Sequence, residues 1–124
     1  MLSNFRVFQA GPDPRGRLWQ VEFLWLQTAI SIRHSDTVDV KFLLANGDER
    51  LEKVIALPHA DLRALAAKLG RPITDAWCAR LAARRLQYMV ETDQDMEKPL
   101  VTCTAEELEA YARQTAATAG VSGR

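Results

Sequence analysis

Val38-Asp39-Val40-Lys41-Phe42-Leu43-Leu44-Ala45-Asn46-Gly47-Asp48-Glu49-Arg50-Leu51-Glu52-Lys53-Val54-Ile55 is the stretch whose reading decides the fold. Val38, Val40, Phe42 and Leu44 recur with period two, the spacing that turns one side of a strand toward a core. Asn46-Gly47 follows, and both residues tolerate the positive φ that a two-residue type I′ hairpin turn requires. Such a turn pairs Phe42 with Leu51 and Val38 with Ile55, and sets Lys41 opposite Glu52 on the other face. Apolar then meets apolar and plus meets minus, so the stretch reads as an antiparallel hairpin.

Toward the N-terminus, Leu18 to His34 reads as extended. Trp19, Val21, Phe23 and Trp25 share one face, whereas further on Thr28, Ile30 and Ile32 form the inward set. A regular strand cannot change parity, so the switch near Leu26-Gln27 predicts a β-bulge or a break around residues 24–28. A three-residue loop within His34-Ser35-Asp36-Thr37 places Ile32 opposite Val40 and Ile30 opposite Phe42. Phe5 to Ala10 adds a short strand. Gly11-Pro12-Asp13-Pro14-Arg15-Gly16 must be a loop, because two prolines and two glycines sustain neither ladder nor helix.

Toward the C-terminus the period changes to that of helices. Pro58 suits a first helical position, and Leu62, Leu65, Ala66 and Leu69 follow i, i+3, i+4, i+7 spacing. Gly70 suits the C′ position and Pro72 blocks continuation. Thr74 is a natural N-cap, with Ile73 placed to staple onto Cys78. The helix from Asp75 to about Glu91 carries a wide apolar arc: Trp77, Leu81 and Tyr88 on one edge, Cys78, Ala82 and Met89 in the middle, Leu86 and Val90 on the far edge. Arg80, Arg84, Gln87 and Glu91 form its wet strip. So broad an arc needs cover on two sides, the sheet on one and another helix or a second subunit on the other. Leu100 to Cys103 is a short strand. Thr104-Ala105-Glu106-Glu107 is a capping box that opens a last helix to about Thr115. From about residue 116 a small, polar tail is expected to fray. The fold class is therefore α+β: a four-stranded antiparallel meander followed by two helices, a short strand and a C-terminal helix, in one domain over residues 1–124.

The chain has 124 residues, 48% apolar and 26% charged, the balance of an ordinary globular domain and not of a disordered or fibrous chain. Sixteen basic and sixteen acidic residues leave no net charge, so no global field steers it toward nucleic acid or an anionic membrane. The charge is unevenly spread. Residues 58–91 carry six basic against three acidic groups, and residues 92–124 carry three against six. The longest apolar run, Phe23 to Leu26, is far too short to span a bilayer. No secretory signal pattern is present, so a cytoplasmic protein is expected. Cys78 and Cys103 lack metal or redox spacing. They read as two buried thiols, although spacing alone leaves a bridge between them open.

Arg85 is the most informative charge, because the helical wheel projects it between Trp77 and Cys78, inside the apolar arc. A buried guanidinium needs carboxylates or carbonyls around it. It reads as an internal ion pair, as an arginine stem packed on apolar surface with its head in water, or as an anion clamp in a cleft with Trp77 and Tyr88, the candidate ligand-binding residues. His34-Ser35-Asp36 places a base, a hydroxyl and an acid together, but turn chemistry explains them without catalysis. Asp93, Asp95 and Glu97 alternate without the glycine and distant glutamate of a calcium loop. His34, His59, Cys78 and Cys103 match no zinc spacing. Residues 66–74 superficially resemble a helix-turn-helix. Pro72, Asp75 and the bulk of Trp77 oppose that reading, so nucleic acid is disfavoured as a partner. No phosphate loop, Walker lysine, nucleophile elbow or HExxH occurs, and no cofactor is expected.

If helices cover one face of the sheet alone, Leu18, Leu24, Leu26 and Leu43 need cover on the other. Exposed apolar patches of that kind mark interfaces. The expectation is a non-catalytic, self-associating module that forms a homo-oligomer. Small-molecule or anionic-ligand binding at Arg85 is the alternative, and helix-turn-helix-like DNA binding comes third.

Overall fold

The computed structural model describes residues 6–29 and 36–122, with side chains over 6–28 and 36–115. Its elements are β1 (Val7–Ala10), β2 (Trp19–Ala29), β3 (Thr37–Asn46), β4 (Glu49–Pro58), α1 (His59–Leu69), α2 (Asp75–Thr92), β5 (Leu100–Thr102) and α3 (Ala105–Ser122). The five strands form one sheet in the order β1-β2-β3-β4-β5. The first four make the antiparallel meander, and β5 adds to β4 in parallel after the α1–α2 crossover. The class is α+β, with the helices and the short strand in the expected order. α3 continues to Ser122, past the expected end near Thr115. No described helix is long and apolar enough to cross a membrane.

The β3–β4 turn differs from the sequence reading. Asn46 remains in the strand opposite Glu49, and the two turn residues are Gly47 and Asp48, with Gly47 at φ +58. Glycine at the first central position suits a II′ turn. Each partner therefore moves by two: Phe42 faces Lys53 and not Leu51, Leu44 takes Leu51, Val40 takes Ile55, and Val38 takes Leu57. Lys41 lies opposite Val54 and Glu52 opposite Leu43, yet Lys41 Nζ still reaches Glu52 Oε1 at 2.8 Å across the diagonal. A shift of two leaves every side chain on its original face, so the inward set is unchanged.

The expected bulge is present. The β2–β3 register shifts between Phe23 and Trp25, leaving Leu24 as the extra residue. Leu26 then stands opposite Val40 and Phe23 opposite Phe42, the places that the three-residue loop assigned to Ile32 and Ile30. Trp25 does not continue the Trp19–Val21–Phe23 face. It pairs with Lys41 beyond the bulge, with the ammonium 5.7 Å from its ring centroid. Leu26 packs partly buried against the core and needs no cover on the other side. Thr28 faces Val38 but is exposed. Ile30, Ile32, the His34–Ser35 part of the loop and Phe5 lie outside the described residues.

The core lies between the sheet and α2. Trp19, Val21, Val40, Phe42, Leu44, Ile55 and Leu57 meet Trp77, Leu81, Leu86 and Met89 with no more than 2% exposure each. Phe8 and Phe23 contact Phe42 edge-on at 6.1 and 6.2 Å. The second side of the wide α2 arc is covered by α3, whose Leu108, Tyr111 and Ala112 are buried. Local signals close the helices as read. Gly70 caps α1 in the left-handed conformation, and Thr74 Oγ1 accepts the Trp77 amide at 3.1 Å. Thr104 and Glu107 exchange two hydrogen bonds of 2.9 and 3.1 Å. Pro58 ends β4 and N-caps α1 from an extended conformation, one position earlier than expected.

Candidate functional site

Arg85 is 4% exposed, on the buried side of α2. Its Nη2 donates to Asp95 Oδ2 at 2.7 Å, its Nε lies 3.7 Å from Glu107 Oε2, and its guanidinium carbon is 5.6 Å from the Tyr88 ring centroid. The loop after α2 delivers Asp95. Asp93 caps the helix at φ +60 and Asp95 itself stands at φ +61, so the chain turns back over the helix end. Lys98 Nζ adds a second cation 3.2 Å from Asp95. Hydrogen bonds from Lys98 and then Arg85 hold the Asp95 carboxyl below the usual range, against the opposing effect of burial. The acidic trio thus serves partly as a counter-charge. Among the described residues no three His, Cys, Asp or Glu side chains gather as a metal site.

Lys53 is the functional-looking residue that the sequence reading missed. It lies inward on β4 between Leu51 and Ile55, 5% exposed. Its ammonium donates to the Met96 carbonyl and, at 2.9 Å, to the Lys98 carbonyl. Burial pushes its pKa down, with Glu97 opposing. The available signal was parity, since a lysine that alternates with Leu51, Ile55 and Leu57 must point where they point.

Arg85, Asp95, Lys98, Thr102, Thr104 and Glu107 line most of a cavity of about 470 Å³ at the meeting of α2, β5 and α3. Two cations and two carboxylates balance there. An incoming anion meets Asp95 and Glu107 as well as Arg85, so the arrangement acts as an internal ion-pair cluster more than as an anion clamp. The structure brings Arg85 and Tyr88 together but leaves Trp77 apart. Trp77 is two turns earlier on α2, about 12 Å along the axis. It is 2% exposed and capped by the Arg71 guanidinium at 4.5 Å. Tyr88 is 39% exposed and lines a different, small hollow of about 170 Å³ with Tyr111, Gln87 and Glu91.

The remaining candidates resolve simply. Cys78 and Cys103 are free and buried. Burial raises Cys78 to about 11, with Asp75 adding to it, and Cys103 to about 12, with Glu107 adding to it. Both remain protonated near neutral pH, which makes them poor nucleophiles. His34 and Ser35 lie outside the described residues, while the Asp36 carbonyl accepts the His59 amide at 2.8 Å. The α1–α2 pair that resembled a helix-turn-helix has Trp77 buried and Asp75 in the first turn of its second helix.

The far face of the sheet has a different character. Val7, Leu43, Val54 and Leu100 alternate along their strands with buried Phe8, Phe42, Ile55 and Val101, and so project away from the helices. Val7 is 60% and Leu100 49% exposed, and the bulged Leu24 is 37% exposed. Leu18, just before β2, is 44% exposed. Glu22, Lys41, Glu52 and Arg50 are set among them in register. Comparison with protein-family models, with curated proteins and with solved structures found no match to this chain.

Proposed function

We propose that this protein is a non-catalytic module that pairs with a second copy of itself through the open face of its sheet. The observation that carries this reading is the one-sided arrangement of the helices. Among the described residues on this face, Val7 and Leu100 are exposed, and Leu43 and Val54 are half-buried. The strands span about 600 Å² per face at roughly 3.3 Å per residue and 4.8 Å between strands. Two copies would therefore bury about 1,200 Å², the lower bound for a specific, stable interface. Zero net charge means that the copies do not repel at long range, and interspersed acids and bases allow an isologous match. The sheet edges are less suitable, because β1 has four residues and β5 three, and short edges offer little ladder to extend. Two free buried thiols suit a reducing cytoplasm.

Leu43→Lys and Val54→Glu test the proposal. Leu43 lies between Glu22 and Glu52, and Val54 beside Lys41, so each new charge meets an opposite one within the monomer. Light scattering should give twice the 13.9 kDa chain mass for the wild type, and 13.9 kDa for either variant with unchanged circular dichroism. The dimer constant is expected to be on the order of micromolar. A wild-type particle still at chain mass at about 1 mM, or dimers that survive both substitutions, would overturn the reading. Ligand recognition at Arg85 is supported by the cavity beside it, but its charge balance gives that reading less weight.

A further inference from the structure

The sheet ends at β5, and the outer edge of that strand lies beside the cavity that Arg85 lines. The Pro99 carbonyl accepts the Val54 amide at 2.8 Å, and the Cys103 amide donates to the Ala56 carbonyl at 2.9 Å. Backbone groups alternate sides along a strand. Pro99, Val101 and Cys103 therefore turn theirs toward β4, whereas Leu100 and Thr102 turn theirs outward. Both outward residues are exposed. Their two amide donors and two carbonyl acceptors receive no hydrogen bond from any described residue.

Leu100, Val101 and Thr102 border the cavity of about 470 Å³ from β5, and Arg85 and Glu107 border it from α2 and α3. Val101 is 6% exposed and points to the helix side. A strand added beside β5 sends the residue opposite Val101 to that same side, into the cavity, and its two neighbours to the far face beside Leu100. Three residues are too short a ladder to hold two copies together. Here, though, a pocket for one side chain adjoins the ladder, the combination by which extended peptides are recognised. The walls also restrict what that side chain can be. Arg85 and Lys98 are balanced by Asp95 and Glu107, so an added charge of either sign meets its like. Arg85 is 4% exposed, and its Nη1 has no hydrogen-bond partner among the described residues. Such a lining favours a neutral group that both accepts and donates.

We propose that the β5 edge binds an extended peptide and that the cavity takes a glutamine side chain from it, the carboxamide oxygen toward Arg85 and the NH2 toward Glu107. In antiparallel addition the residues on either side of the glutamine exchange backbone hydrogen bonds with Leu100 and Thr102. A glutamate there would face Asp95 and Glu107, a lysine would face Arg85 and Lys98, and a leucine would leave the polar walls without partners. Pairing of two copies through the sheet face leaves this edge open, so the peptide site does not depend on it.

Fluorescence anisotropy of the labelled peptide Ser-Thr-Val-Gln-Val-Thr-Ser tests this. The comparison peptides carry glutamate, lysine or leucine in place of the glutamine, or keep it with both valine amides N-methylated. Saturable binding of the glutamine peptide is expected with a Kd on the order of 100 μM, and each comparison peptide should bind about tenfold more weakly or worse. Thr102→Pro removes an outward amide that β4 does not use, and should weaken the glutamine peptide by a similar factor with circular dichroism unchanged. Glu107→Gln keeps the capping box but leaves one surplus cation in the cavity, so preference should turn from the glutamine peptide to the glutamate peptide. No saturable binding at about 1 mM protein, undiminished binding of the N-methylated peptide or by Thr102→Pro, a glutamate, lysine or leucine peptide that matches glutamine on the wild type, or an unchanged preference in Glu107→Gln would each overturn the proposal.

Discussion

Asp13 shows how much a single carboxylate can organise. It is 8% exposed and accepts the amides of Arg15 and Arg17, the Arg17 guanidinium and the Trp19 indole, at 2.8 to 3.3 Å. Burial alone would raise its pKa, but the Arg17 amide, the Trp19 indole, the Arg17 side chain and the Arg15 amide together bring it to about 2. A carboxyl whose folded value lies below its unfolded 3.8 adds stability at every pH above 3.8 and loses that contribution as pH falls toward 2. Asp13→Asn should therefore be less stable than wild type at neutral pH, with the gap closing as pH drops through this window. Urea melts across the acid range measure it. The sequence shows Asp13 in a proline-rich loop but not the convergence of its donors, which depends on Trp19 being anchored in β2. Arg85 is similar. The helical wheel reveals its burial, whereas its counter-charges come from a loop ten residues on and from the capping box of another helix.

Elements were more legible than residues wherever their signals were local. The Thr74 cap, the Gly70 stop and the Thr104–Glu107 box all form from residues within a turn of one another. Thr104→Ala removes one half of that box and should lower stability by about 1 kcal/mol in denaturant melts. A smaller loss is expected from Thr104→Asn, which can still cap. Register was harder to read. Asn46-Gly47 and Gly47-Asp48 turns keep the same inward faces, so periodicity alone does not separate them. A distant contact distinguishes them in the folded chain: Asn46, kept in β3, donates its side-chain amide to the Leu18 carbonyl at 2.8 Å. The bulge was legible because a change of parity is itself a sequence pattern. Trp25 was misplaced because the switch occurs two residues before the point where the pattern becomes visible.

The molecule as a whole is held by one core that both halves of the chain must complete. Trp19 on the sheet and Trp77 on α2 are both buried in it, at 1% and 2% exposure. Unfolding followed by tryptophan emission and by far-ultraviolet circular dichroism should therefore give coincident transitions. Two separate midpoints would show that sheet and helices fold as independent units. The α+β order follows from the change of period at Leu57, which any reading of the sequence sees. That β5 joins in parallel does not, because three residues carry too little pattern to choose a direction. That parallel strand has a consequence for synthesis. A ribosome releases β4 well before β5, and the helical crossover must dock before β5 can reach its place. Through that interval the nascent chain has an open ladder beside Val54, Ile55 and Ala56, where neighbouring nascent chains can pair with it. The sheet is thus sealed only after both crossover helices have been synthesised.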